Sequence, residues 1–207
     1  DPILDFVEIG YMIVEKDKTI DFYRSPECSF SKIIERMVAK KEVSALVNYD
    51  SYHSISDPKR WKKTEEYLEL KKIILIDRDG VINKKAPRGE YISSWSEFEW
   101  ISDTRIAMKL LAQKGFQFII VSNQAGVARG IVNQNELEKI HINLKKELLN
   151  DGIDILDIYI CPHHWNDVCF CRKPNPGMLL KASQDWLLRL DKTLFIGDDY
   201  RDCKASY

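Results

Sequence analysis

Four short aliphatic runs, each ending in polar residues, constrain the fold of this chain more than anything else in it. The first is residues 73–83, IILIDRDGVIN. Four aliphatic residues followed by Asp and Gly read as a fully buried parallel strand that ends in a loop, which is where open α/β sheets put their chemistry. Asp77 and Asp79 stand at i and i+2, so in an extended segment both carboxylates leave one face and can share a reaction centre or a metal. Taken alone, the pair is equally well a solvated turn, because Asp and Gly are common turn residues.

The later runs favour the first alternative. Residues 116–121 are a second predicted strand ending in Ser122, Asn123 and Gln124, which brings a hydroxyl and an amide to the sheet edge that holds Asp77. Residues 156–160 are a third, running into a cysteine cluster, and 193–196 a fourth, read as buried and ending in Gly197-Asp198-Asp199. Amphipathic helices separate them. Asp103 is expected to cap one, with Ile106, Leu110 and Leu111 inward and Gly115 at its end. Residues 133–150 form another, with Leu137, Ile140, Leu144 and Leu148 on one face. A third follows Asn175-Pro176 and carries Leu179, Leu180, Trp186, Leu187 and Leu190. This alternation predicts an α/β fold, a three-layer Rossmann-like parallel sheet with helices on both faces and all polar strand ends at one edge. Residues 84–102 are irregular, and their aromatics, Tyr91, Trp95, Phe98 and Trp100, either line a substrate pocket or pin the loop to the core.

Residues 1–71 read as a separate small α/β segment, with strands at 8–14 and 43–48 around a helix at 30–41 that holds Ile33, Ile34, Met37 and Val38. Asp57-Pro58 then opens a helix with Trp61, Thr64 and Leu68 along one side. The segment offers packing and no chemistry. It resembles the C-terminal end of sugar-phosphate nucleotidyltransferases, with that family's Asp-Ile-Gly-Thr-Pro motif degraded to Ser54-Ile55-Ser56-Asp57-Pro58 and its glycine-rich nucleotide-binding start absent. The expected organisation is a nucleotidyltransferase-like remnant or cover over 1–71 and a main domain over 72–207.

Basic and acidic side chains nearly cancel, 31 against 32 in 207 residues, so the net charge of −1 leaves no electrostatic footprint for nucleic acid or an anionic membrane. Apolar runs such as 118–121 are far too short to span a bilayer, and the first residues show no secretory pattern. A cytoplasmic location is expected. Position 1 is Asp, so the chain reads as a fragment or a processed product. The sequence sets no oligomeric state.

Of five cysteines, Cys161, Cys169 and Cys171 fall within eleven residues, together with His163. Three thiolates and an imidazole satisfy tetrahedral zinc and leave no position for water, so the expected Zn2+ site is structural. His164 is out of step with it. Cys28 and Cys203 stand alone and are read as small buried hydrophobes. Arg172-Lys173 follow the clamp directly, two cations aimed at the edge that holds Ser122 and Asn123, an arrangement suited to phosphate.

In this order, DRDG, VSN, a lysine and GDD resemble the four motifs of haloacid-dehalogenase-type phosphatases, from about residue 72 to the end. DRDGVIN, SNQAGVARG, CPHH with CxCRKPNPGM, and IGDDYRD resemble its heptose-bisphosphate and histidinol-phosphate phosphatase branch. The resemblance implies a magnesium-dependent hydrolase of a small phosphorylated sugar. Asp77 is then the nucleophile and Asp79 the general acid and base. Mg2+ is held by Asp77, the Asp79 carbonyl and Asp198. Ser122, Asn123 and Lys173 grip the phosphoryl oxygens, with Gln124, Arg129 and Arg172 toward the rest of the substrate. Two departures stand out. Asp199 occupies a place where the branch tends to carry a lysine, and the chain stops at Tyr207, soon after the fourth motif, so a domain cut short at its C-terminus is expected. Three other readings are weighed: histidinol phosphate as substrate, a non-catalytic zinc loop that binds nucleic acid or protein, and the phosphatase part of a bifunctional nucleotidyltransferase-phosphatase.

Overall fold

The aliphatic runs pair side by side in the structure, a computed structural model that describes residues 30–42, 44, 53 and 55–206. Strands β1 (Ile73–Ile76), β2 (Gln117–Asn123), β3 (Ile155–Cys161) and β4 (Leu194–Ile196) form one sheet in the order β3-β2-β1-β4, every pairing parallel. Ile76 lies beside Ile120 on one side and Ile196 on the other, so the segments that follow all three strands leave the same edge.

The chain divides into two compact units, Asp1–Asn48 and Tyr49–Tyr207. In the first, helix α1 (Phe30–Ala39) buries Met37 and exposes Val38. The expected strands at 8–14 and 43–48, and Cys28, lie outside the described residues. The second unit opens with α2 (Pro58–Leu68), where the Asp57 side chain accepts from the Arg60 N–H at 2.9 Å and Pro58 takes the first turn, as the sequence requires. None of its residues is buried.

Helices α3 (Ser102–Gln113), α4 (Gln134–Asn150), α5 (Gly177–Trp186) and α6 (Tyr200–Ala205) complete this unit, with two single-turn helices at Trp95–Glu97 and Leu190–Lys192. Strand alternation splits the apolar residues between two faces. Ile74, Ile76, Phe118 and Ile120 pack with Met108 of α3 and with Ile140, Leu144 and Leu148 of α4. Ile73, Leu75, Ile119 and Val121 pack with Met178, Leu179 and Ala182 of α5 and Ala205 of α6. The expected three layers are present. Among the described residues no helix is long and apolar enough to cross a membrane.

Five local expectations are corrected. Helix α3 starts at Ser102, so Asp103 sits in its first turn and the Ile101 backbone forms the cap. Met108, Leu111 and Ala112 face the core at i, i+3 and i+4, whereas Ile106 and Leu110 are 59% and 56% exposed, because two residues at about 100° each carry them to the far side. Strand β4 is an edge strand, with Leu194 64% exposed, because β1 pairs it on one side only. Leu187 ends α5 in the left-handed region (φ 49°, ψ 55°), which turns Leu188 inward in its place. Cys203 is exposed, since Asp202 and Ala205 take the inward positions of α6.

Candidate active site

Directly beyond β1, the Asp77 N–H donates to the Ile196 carbonyl at 2.8 Å, which ties the acid to the neighbouring strand end. The chain then turns tightly: the N–H groups of Ile82 and Asn83 both donate to the Arg78 carbonyl. Gly80, at φ +96°, makes this turn, and a Cβ there would collide with the Asp198 carboxylate. Its glycine therefore lets the fourth strand's acid lie over the first strand's loop.

Lys173 is the centre of the cluster. Its ammonium lies 3.0 Å from Asp77 and 2.7 Å from Asp202, and donates to the Val121 carbonyl at 2.9 Å. All three side chains are nearly out of reach of solvent. Burial pushes the Asp77 carboxyl up to about 6 against the pull of Lys173, with the charge of Asp202 pushing the same way as burial. Asp202 also accepts from the Asp199 N–H at 3.1 Å, one half of a capping box that starts α6. Asp199 accepts from the backbone N–H, Nε and Nη2 of Arg201 and lies well below the usual carboxylate range as a result.

Asp79 takes different side-chain partners from Asp77, which accepts the Arg78 backbone N–H at 2.7 Å. Arg78, buried with its guanidinium, grips both Asp79 oxygens from Nη2 at 3.0 and 2.9 Å, with Nε at 3.1 Å. Asn83 and Gln124 add further hydrogen bonds at 2.9 and 2.7 Å. Burial would raise this acid, but the charge of Arg78 and these donors outweigh it and hold Asp79 as the carboxylate. Behind Arg78, Nη1 lies 3.2 Å from His141 Nε2, and burial beside that cation pushes the imidazole down to about 4.

The remaining predicted residues divide by partner. Gln124 donates to the Ser122 hydroxyl at 2.8 Å as well as to Asp79, and so links the second strand end to the first. The Asn123 amide is taken up by the Lys173 backbone, accepting its N–H and donating to its carbonyl, both at 3.0 Å. One terminal nitrogen of Arg172 is buried without a hydrogen-bond partner. Arg129 lies apart from these residues' contacts, over the rings of Tyr91 and Trp165 at 5.6 and 5.1 Å. Trp95, Phe98 and Trp100 pack on one another and on the core, so they pin the loop, while Tyr91 meets Arg129.

Among the described residues, two donor sets can hold a metal. Oxygens of Asp77, Asp198 and Asp202 lie within 4.8 Å of one another, a set of hard oxygens suited to Mg2+. Cys161, His163, Cys169 and Cys171 form the other. Around one tetrahedral zinc, two sulfurs stand about 3.8 Å apart and a sulfur and a nitrogen about 3.5 Å. Here Cys161 Sγ is 3.7 Å from Cys169 Sγ and 3.5 Å from His163 Nδ1, which fits that geometry, and His163 Nδ1 is 3.1 Å from Cys171 Sγ. His164 instead packs against Trp165 at a tilt, ring centroids 4.0 Å apart.

Sequence reasoning missed Asp202 and Arg78 as members of the site. The signal for Asp202 was its position three residues after Asp199, the spacing of a capping box. For Arg78 it was a cation between two acids at the end of a buried strand, where it cannot reach water.

Comparison with known proteins agrees with this geometry. Residues 72–204 match the polynucleotide kinase 3 phosphatase family. The D-glycero-alpha-D-manno-heptose-1,7-bisphosphate 7-phosphatase of Photorhabdus laumondii is 33% identical over 142 residues, 65% of this chain and 76% of its own. The D-glycero-beta-D-manno-heptose-1,7-bisphosphate 7-phosphatase of Escherichia coli is 35% identical over 140 residues, 64% of this chain and 72% of its own. The crystal structure of D,D-heptose 1,7-bisphosphate phosphatase from B. bronchiseptica, complexed with magnesium and phosphate, superposes with a TM-score of 0.61 at 32% identity, over 64% of this chain and 73% of that one. The chain belongs to the polynucleotide kinase 3 phosphatase family, as a phosphatase of the haloacid-dehalogenase type.

Proposed function

We propose that this chain removes the 7-phosphate of a manno-heptose 1,7-bisphosphate through an aspartyl-phosphate on Asp77. One observation carries the reading: Asp77 is a buried carboxylate at a strand end, touched by Lys173 and grouped with Asp198 and Asp202, in a chain whose relatives are named for that reaction. Relatives named for the alpha and the beta anomer match about equally, so the proposal takes the bisphosphate without an anomer.

Phosphomonoesters resist water because an anionic nucleophile must approach an anionic phosphorus. Asp77 attacks phosphorus, and the bond to the sugar oxygen breaks. Asp79 gives that oxygen its proton, for which it must leave Arg78 and be protonated, and then acts as the base for the water that cleaves the aspartyl-phosphate. Held by Arg78 it is already in the state the second step needs. Asp77, the Asp79 carbonyl and Asp198 would hold magnesium, which when bound would supply positive charge to offset the repulsion between carboxylate and phosphate. Ser122 and Lys173 grip the phosphoryl oxygens, Asn123 holds the Lys173 backbone in place, and Gln124, Arg129 and Arg172 serve the rest of the substrate.

Zinc on Cys161, His163, Cys169 and Cys171 is structural in this reading, with four protein ligands and no place for water. We take 72–207 as the catalytic domain and 1–71 as a nucleotidyltransferase-like remnant or cover; the family match over 72–204 supports the first part. A sugar-phosphate substrate goes with a cytoplasmic enzyme. The test is phosphate release from both heptose bisphosphate anomers, sugar monophosphates, histidinol phosphate and a 3′-phosphorylated oligonucleotide, with magnesium and with chelator. Fastest release from a heptose bisphosphate, abolished by chelator, is expected. Preference for the oligonucleotide or for histidinol phosphate overturns the substrate, and no release from any of them overturns the reaction.

A further inference from the structure

Each acid of the cluster has a cation of the chain beside it. Lys173 serves Asp77 and Asp202, and Arg201 serves Asp199. The cation beside Asp198 is Lys85, in the loop that follows the DRDG turn, with Nζ 2.6 Å from the carboxylate. Its neighbour Lys84 points elsewhere and pairs with Glu99. The Lys85 stem lies over Gly80, where a Cβ would come within 2.6 Å of Cε, so this ammonium is seated on the turn that carries the nucleophile. Its side chain is 42% exposed, unlike that of Lys173, which is 3% exposed.

We propose that Lys85 is a movable phosphate-binding cation of the site. It neutralises Asp198 until a divalent cation takes that carboxylate, and then binds an oxygen of the substrate's phosphoryl group. The inference rests on the phosphatase reading and adds a residue to it. An ammonium and a divalent ion on one carboxylate repel each other, so one of them must withdraw. A four-carbon stem with three rotatable donors can do so at little cost. The ammonium does not drift away, because Asp77 and Asp199 also attract it. Burial lowers its pKa, but the hydrogen bond and charge of Asp198, with Asp199 and Asp77 behind, outweigh that and raise it.

The test is calorimetry on the full chain and its Lys85→Met variant, which keeps the stem and removes the charge. For substrate-free protein, magnesium should bind the variant about three- to fivefold more tightly, the size of a part-exposed ion pair. For magnesium-loaded protein, inorganic phosphate should bind it more weakly by a similar factor, and Lys85→Arg should restore phosphate binding. Opposite shifts are the signature. Unchanged or weaker magnesium affinity overturns the proposal, and so does unchanged phosphate affinity. Both are binding measurements, so they decide the role of Lys85 separately from the release assay that decides the reaction.

Discussion

Beyond β1 and β4, the carboxylates of Asp77, Asp198, Asp199 and Asp202 are met by Lys173, Lys85 and Arg201 from the same chain. Beyond β3, Cys161, Cys169, Cys171 and His163 are packed against one another, and burial pushes the Cys161 thiol up to about 12. The acidic cluster is charged and internally compensated, so the fold alone can assemble it. The thiol cluster has no Lys or Arg among its four side chains, and on the proposed reading zinc supplies the positive charge that holds its thiols as thiolates. On the proposed reading, the first site exchanges its partners during a reaction and the second keeps a single partner throughout.

The sharpest way to break this contrast is at the acids. Asp77→Asn should lower phosphate release by roughly three orders of magnitude or more while circular dichroism and the melting temperature stay close to those of the parent. Full activity in that variant would remove the mechanism. Lys173→Met should cost about 3–5 kcal/mol in urea unfolding, because it strands Asp77 and Asp202 as buried, uncompensated charges. At the thiols, Cys169→Ser should lower bound zinc, measured by atomic absorption, from about one per chain to a fraction of that, and lower the melting temperature without adding a net charge to the fold. A variant that retains zinc and stability would dissolve the contrast.

The pH dependence sharpens the acidic side further. His141 has a folded pKa of about 4 against 6.5 when unfolded, so the unfolded chain binds the extra proton. Its contribution is complete above pH 6.5 and is lost as pH falls toward 4, about 2 kcal/mol between pH 7 and pH 5. His141→Gln should remove that part of the slope in parallel urea titrations. The smallest effect belongs to Cys203→Ala, exposed and outside the Cys/His cluster, which should change stability by less than about 0.5 kcal/mol and leave bound zinc unchanged.

What the sequence reveals follows the range of the forces involved. The sheet is legible because strand burial is a local pattern, and IILI, FIIV and the α4 stripe of Leu137, Ile140, Leu144 and Leu148 announce themselves. The meeting of Asp77, Lys173 and Asp198 follows from parallel topology, which brings every strand end to one edge. The pairing within that edge is another matter. That Lys173 would bridge Asp77 to Asp202, or that Asp79 would turn to Arg78, depends on side-chain directions set by the Gly80 turn and the α6 cap, which no spacing rule encodes. The exposed face of β4 was hidden for a related reason: a short apolar run looks alike at the centre and the edge of a sheet.

The β2–β3 ladder sets Asn123 directly opposite Cys161. Asn123 holds the Lys173 backbone, and Cys161 is the first member of the Cys/His cluster, so one rung sets the separation of the two sites. A slip of β3 by one residue there would turn Cys161 and the rest of that strand to the other face at once. Residues 124–154 connect the two strands outside this ladder, and length can be added to their surface loops while the rung keeps its place. The rung itself is a ruler, and an engineer who wished to respecify the pocket would redraw the loops and leave it alone.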